Sequence, residues 1–184
     1  MTDATHSTPL SPDFVAGLTT GEGCFDLQFR RDVRRERNGS PIYYGWKAQY
    51  VVSLHVKDLE LIKKLVEVFQ CGTVHTPLSG DARFSIQDIE NLFHVVVPFF
   101  REYRLYGNKQ KDFELWAEAI EILYQNKTQK THRGSRGFVR KVWQKEPFRR
   151  LLELHKLMVS YKSTRPQGYK WIKEAERFVE TLED

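Results

Sequence analysis

The segment SPDFVAGLTTGEGCFDLQFR, Ser11 to Arg30, is a helix joined directly to a strand, with one carboxylate at the joint. Ser11-Pro12-Asp13 marks the helix start: a capping hydroxyl, a proline where no amide is needed, and an acid at the positive end of the helix dipole. The helix runs through Val15, Ala16, Gly17 and Leu18 and fails at Gly21-Glu22-Gly23, a length of about two and a half turns. From there Phe25, Leu27 and Phe29 alternate with Asp26, Gln28 and Arg30, the period of a strand with one apolar and one polar face. The chain is therefore mixed α and β from its first two elements.

The rest continues in that style. RRDVRRERNGSP is a charged loop or hairpin tip with Asn38-Gly39 as its turn signal. A second strand spans about Tyr43 to Leu54, with Ala48, Tyr50, Val52 and Leu54 on one face and Lys47, Gln49, Val51 and Ser53 on the other. Leu59, Ile62, Leu65, Val66 and Phe69 recur at helical spacing, and Cys71-Gly72 ends that helix. Strands over Gly72 to Pro77 and Ala82 to Ile86 flank a Ser79-Gly80-Asp81 turn. A helix is expected over Asp88 to Val97, with Pro98 opening a further turn or short helix, and another over Lys109 to Gln125 through Phe113, Trp116, Ile120 and Leu123. Two more follow, one starting at Pro147 and one from Tyr169 to Leu182. The order α-β-β-α-β-β-α predicts an α+β fold: a four-stranded antiparallel sheet with helices on one face and extra C-terminal helices. One domain over 1–184 is expected, with 1–10 a disordered tail and 126–184 a basic loop followed by helices.

Charge narrows the partner. The 184 residues carry a net charge of +5, and the basic residues cluster. Arg30, Arg31, Arg34, Arg35 and Arg37 crowd one span; Lys127, Lys130, Arg133, Arg136, Arg140 and Lys141 crowd another. One such cluster is equally well a solvated surface, but two in loop-like sequence point to nucleic acid. The second face of the sheet carries Gln28, Arg30, Lys47, Gln49, Ser53, His75, Arg83 and Ser85. Ordinary surface strands are polar too, yet Gln, Arg and Lys are the side chains that pair with guanine and adenine edges. No apolar run of about 18 residues is present, which argues against a membrane span. The N-terminus MTDATHSTPLSPDF has neither a signal-peptide core nor the arginines of a transit peptide. An organellar protein, chloroplast or mitochondrial, would then be made in place; the bacterial cytoplasm is the other expectation. Cys24 and Cys71 read as free thiols, and the six histidines are scattered without zinc-finger spacing.

VAGLTTGEG, Val15 to Gly23, resembles the LAGLIDADG motif of the homing endonucleases, intron-encoded enzymes that cut long DNA sites. Ala16, Gly17, Leu18 and Gly23 match letter for letter; Glu22 stands for the last acid and Gly21 for the alanine before it. Thr20 departs, since an acid is usual there. The element order fits, and KQKDF, Lys109 to Phe113, is similar to a lysine-bearing segment that follows the fourth strand in the family. The resemblance covers about residues 11–125, and the motif occurs once, as in family members that work as homodimers.

What the resemblance implies is specific. The first helix would pack on its dimer mate through Ala16, Gly17 and Thr20. Glu22 and its symmetry mate would each hold Mg²⁺, with the Gly21 carbonyl as a second ligand and Mn²⁺ or Ca²⁺ able to replace it for binding. Double-stranded DNA, with no small-molecule substrate, would be cut across the minor groove to leave short 3′ ends. Lys109 would stabilise charge at the phosphate; otherwise it is a solvent-facing charge at a helix start. DNA would be read by Asp26, Gln28, Arg30, Lys47, Gln49, Ser53, His75, Arg83 and Ser85, with Arg34 and Arg35 reaching along the groove and Arg133, Arg136 and Lys141 on phosphates. A glutamine common at the end of the family's second strand falls here on Leu54 or Val56, with His55 and Lys57 as polar neighbours. Two other readings stand beside an endonuclease: a DNA-binding regulator or intron RNA maturase that does not cut, and a plain α+β protein whose GEG is a helix cap.

Overall fold

A computed structural model describes residues 9–33, 35, 39–40, 42–128, 143–161 and 171–182. The elements are α1 (Pro12–Glu22), β1 (Gly23–Val33), β2 (Ile42–His55), a 3₁₀ turn (Val56–Asp58), α2 (Leu59–Phe69), β3 (Thr73–His75) and β4 (Asp81–Ile86). A helical path follows through α3 (Ile89–Asn91), a π turn (Leu92–Val96) and α4 (Val97–Glu102), and then come α5 (Gly107–Thr128), α6 (Lys145–Tyr161) and α7 (Ile172–Glu180). Among the described residues the strands form one sheet in the order β1-β2-β4-β3. The predicted α+β architecture is the one observed. Arg34, Arg133, Arg136 and Lys141, the Asn38 turn and the first eight residues lie outside the described residues.

The chain divides into two compact units. One comprises the residues up to Phe25 with Gln49–Gln110; the other comprises Asp26–Ala48 and the residues from Lys111 onward. In the first, β2 pairs antiparallel with β4 (Tyr50 opposite Ile86, Val52 opposite Phe84), and β4 pairs antiparallel with β3 (Val74 opposite Phe84). Tyr50 is the hub of this core: its ring lies 5.5 Å from Phe25, 5.5 Å from Phe69 and 5.4 Å from Phe100. Each fully buried large apolar side chain contributes ~1.5–3 kcal/mol.

The end of α2 differs from expectation for a physical reason. α2 stops at Phe69, before Cys71-Gly72, because Gln70 takes the left-handed conformation (φ 52°) and its side-chain amide donates to the Glu67 carbonyl. Gly72 also has positive φ (96°), and a Cβ there would lie 2.5 Å from the Phe84 ring. Gly72→Ala combines backbone strain with overpacking and should destabilise the fold by ~2 kcal/mol or more, read as a lower urea midpoint at unchanged slope. Pro98 stands in the first turn of the short helix α4, one of the two outcomes expected of it, and the helical path from α3 runs on into it. Its missing amide and bulky ring are accommodated by the preceding π turn.

In the second unit, Phe29 packs edge-on against Trp46 (5.2 Å) and Phe148 (5.8 Å). The buried Trp116 donates its indole N–H to the Asp26 carbonyl at 3.2 Å, and His155 Nδ1 bonds the Leu27 carbonyl at 2.8 Å. These two bonds tie α5 and α6 to the backbone of β1. Arg31 is turned toward α7: its guanidinium lies over Trp171 at 5.3 Å and its Nε is 3.3 Å from Glu174, an ion pair without hydrogen-bond alignment.

Candidate active site and sheet surface

α1 starts as its sequence requires. The Ser11 hydroxyl accepts from the Phe14 amide at 3.2 Å, and Pro12 occupies the first turn. The helix buries Val15, Ala16 and Thr19 within its own chain. Its other side exposes Phe14 (47%), Gly17 and Gly21, and a Cβ built on either glycine meets nothing within 4 Å. Nothing in this chain's own packing therefore demands glycine at 17 or 21. Ala16 belongs to the inward face, and Thr20 is half-buried, its hydroxyl donating back to the Ala16 carbonyl at 2.8 Å.

Gly23 is different. A Cβ there would lie 2.5 Å from Thr19 Cγ2, 2.6 Å from its carbonyl oxygen and 2.9 Å from its Cα, so only glycine fits where the helix turns into β1. The Gly23 amide donates to the Thr19 carbonyl, and the backbone leaves the helix in an extended conformation. Glu22 is thereby held, exposed, as the last residue of α1. An acid at the negative end of a helix dipole, with no base in the last turn, costs stability. Lys109, in the first turn of α5 and half-buried, offsets this: its ammonium donates to the Gly23 carbonyl, beside Glu22. The structure thus brings Lys109 to the GEG joint across 86 positions of sequence.

Glu22 and the carbonyls of the last turn, which by helix geometry find no amide within the helix, are hard oxygen donors suited to Mg²⁺ or Ca²⁺. Among the described residues no group of three or more His, Cys, Asp or Glu converges on a metal position. A cation here would complete its shell with water, phosphate or a second chain, and the residues present fit that arrangement. At the end of β2, Leu54 is half-buried and Val56 is 39% exposed; neither offers a polar group to a water. The exposed His55 is turned to its own backbone, Nδ1 accepting from the Lys57 amide at 3.2 Å.

On the polar sheet face of the first unit, the register sets Ser53, Arg83 and His75 side by side across β2, β4 and β3. Ser53 and His75 are exposed and Arg83 is half-buried. Gln49 and Ser85 are only 8% exposed, so the expected open face is closed at these two positions. Ser85 is paired with Thr73 on β3, their hydroxyls 3.4 Å apart. On the second unit's part of β1, Gln28 donates to Asp26 and accepts from Arg30 at 3.3 Å, a polar ladder along one face. Arg30 and Arg35 are exposed and Lys47 is half-exposed. Sequence reasoning missed Cys24, the exposed first residue of that face, and Thr73, whose alternation with His75 was its only signal. It also missed the buried pair Thr19 and Tyr50, whose hydroxyls lie 2.6 Å apart; the signal was a threonine where LAGLIDADG spells isoleucine.

The LAGLIDADG endonuclease family model matches residues 15–120, and the chain belongs to that family. It is similar to the probable intron-encoded endonucleases 3 and 2 of Neurospora crassa, 29% identical over 126 residues and 27% over 132. These alignments take in 68% and 70% of this chain but 22% and 26% of the relatives, so the chain spans about a quarter of the length of the curated relatives it matches. Among solved structures, the homing endonuclease I-TnaI shares the fold with a TM-score of 0.66 at 20% identity, over 94% of this chain and 99% of that one. I-SmaMI bound to an uncleaved DNA target in the presence of calcium ions gives a TM-score of 0.63 at 20% identity, over 94% of this chain and 50% of that one.

Proposed function

We propose that this chain is one half of a site-specific, divalent-metal-dependent DNA endonuclease that makes a double-strand break by cutting across the minor groove. The observation that carries the reading is the joint: an exposed carboxylate at a helix end, against local electrostatic preference, with a lysine ammonium anchored to the next carbonyl. Two copies would meet on the open Gly17–Gly21 side of α1. Coverage of the whole of one solved chain and half of another supports a two-part enzyme.

In this reading a bound Mg²⁺ supplies an activated water and charge neutralisation at the leaving oxygen. The protein's own residues do the rest. Glu22 holds the cation and, from the end of α1, aims it. Lys109, fixed by the Gly23 carbonyl, sets positive charge where the phosphate gains negative charge. Ser53, Arg83 and His75 face base edges as one row, and Asp26, Gln28 and Arg30 as another. Arg35, with Arg34, Arg133, Arg136 and Lys141, would hold phosphates, which position the protein without reading sequence. The relatives' intron-encoded origin supports an organellar home.

A second reading is favoured by Thr20, whose hydroxyl is turned to its own helix, and by Leu54 and Val56 at the strand end. These leave one carboxylate per copy, as in a relative that binds DNA or intron RNA without cutting. Incubating the protein with Mg²⁺ and a randomised duplex library, then sequencing the ends, decides between them. The endonuclease reading expects breaks at one long consensus with short 3′ overhangs. Library recovery without breaks, with tighter binding to structured intron RNA than to duplex, overturns it.

A further inference from the structure

We propose that the Thr19–Tyr50 hydroxyl pair is a positioning device for the GEG joint, holding Glu22 and Lys109 at their working places; the inference rests on the endonuclease reading above. Both residues are 0% exposed, and their oxygens are 2.6 Å apart. Tyr50 is a fixed post. Its ring is clamped by Phe25, Phe69, Phe84 and Phe100, with centroids between 5.4 and 6.2 Å away. Burial raises the phenol above its ordinary range, the bond to Thr19 pulling the other way, so it stays protonated at any working pH.

Thr19 is the node. Its hydroxyl is bonded to this post, and its carbonyl takes the Gly23 amide. Its methyl and backbone form the floor on which Gly23 rests too closely for any Cβ. The Gly23 carbonyl in turn receives the Lys109 ammonium. A continuous line of bonds therefore runs from the sheet core through Thr19 and Gly23 to Lys109, with Glu22 held between its two middle members. Both side chains are fully buried and so out of reach of DNA or metal; they would act through the joint. An apolar residue at 19 would fill the same space but would leave the rotation of α1 to packing alone. Displacements near 1 Å at a reacting centre cost up to about a hundredfold in rate.

The test uses the full chain with Thr19→Val, Tyr50→Phe, the double variant, and Thr19→Ser, which keeps the hydroxyl. Single-turnover cleavage in Mg²⁺ is expected to fall about tenfold in both single variants. DNA affinity measured in Ca²⁺ should stay within about twofold, because the reading surfaces do not use this bond. The double variant should be no slower than either single one, and Thr19→Ser should recover most of the rate. Cleavage and affinity falling together, as loss of folded protein would cause, overturns the proposal.

A second readout needs no cleavage. In DNA-free Tyr50→Phe, the Gly23 amide should exchange about tenfold faster relative to the amides of β4. Exchange at Gly23 rising only in step with β4 overturns the positioning role. If the wild-type protein cuts nothing, the endonuclease reading fails, and the exchange ratio still decides whether the pair holds the joint.

Discussion

Glu22→Gln should give a folded protein that holds its DNA site and cuts it roughly a thousandfold more slowly. The residue is exposed and ends a helix, so its replacement leaves the core untouched; surface changes of this kind stay within about 0.5 kcal/mol. Removing negative charge from the C-terminal end of α1 is, if anything, stabilising. Binding in Ca²⁺ should weaken only through the lost metal ligand, while contacts to phosphates and bases persist. The cleavage rate responds differently, because a neutral amide is a poor ligand for a hard dication. Gel shift in Ca²⁺ beside a single-turnover cut in Mg²⁺ gives both numbers on one preparation. Wild-type cutting by Glu22→Gln would remove the carboxylate from the mechanism.

Gly17→Leu separates assembly from folding. A Cβ at the exposed position 17 meets nothing within 4 Å beyond its own turn of helix, and leucine is a better helix former than glycine by up to about 1 kcal/mol. The isolated chain should therefore melt no lower than wild type. If two copies approach along the Phe14–Gly17–Gly21 side of α1, the same leucine keeps their backbones apart. Dimerisation should weaken at least ~100-fold, about 3 kcal/mol. Sedimentation velocity is expected to show dimer for the wild type and monomer for the variant, with specific DNA binding lost alongside. A Gly17→Leu protein that still sediments as a dimer and cuts would place the two-fold contact elsewhere.

The elements that were legible are those whose signals are local. Ser11-Pro12-Asp13 marks the start of α1, and the Phe25–Leu27–Phe29 alternation marks β1, because capping and pleating act on neighbours a few residues apart. The burial of Gln49 and Ser85 was not legible, since alternation assigns a face but not what covers it. The Lys109–Gly23 bond joins residues 86 apart, and no spacing rule reaches that far; only the likeness of KQKDF to a family segment hinted at it. Thr19 escaped because threonine is unremarkable in a short helix until a partner hydroxyl is seen opposite it. Thr20 was visible as a departure, but its bond to the Ala16 carbonyl, which withdraws the hydroxyl from the joint, is a rotamer choice that letters do not record.

Arg31 carries a consequence for any polyanion that meets β1. Counted by letters, the arginine run offers this residue to a phosphate backbone like its neighbours. With its guanidinium laid on the indole of Trp171 and its charge met by Glu174, it is already spent inside the protein. Its loss would register as loosening of the C-terminal helix rather than as weaker electrostatic attraction. Neighbouring positions of one run thus serve separate ends: Arg30 is turned outward, and Arg31 stitches the chain's last turns to its first strand.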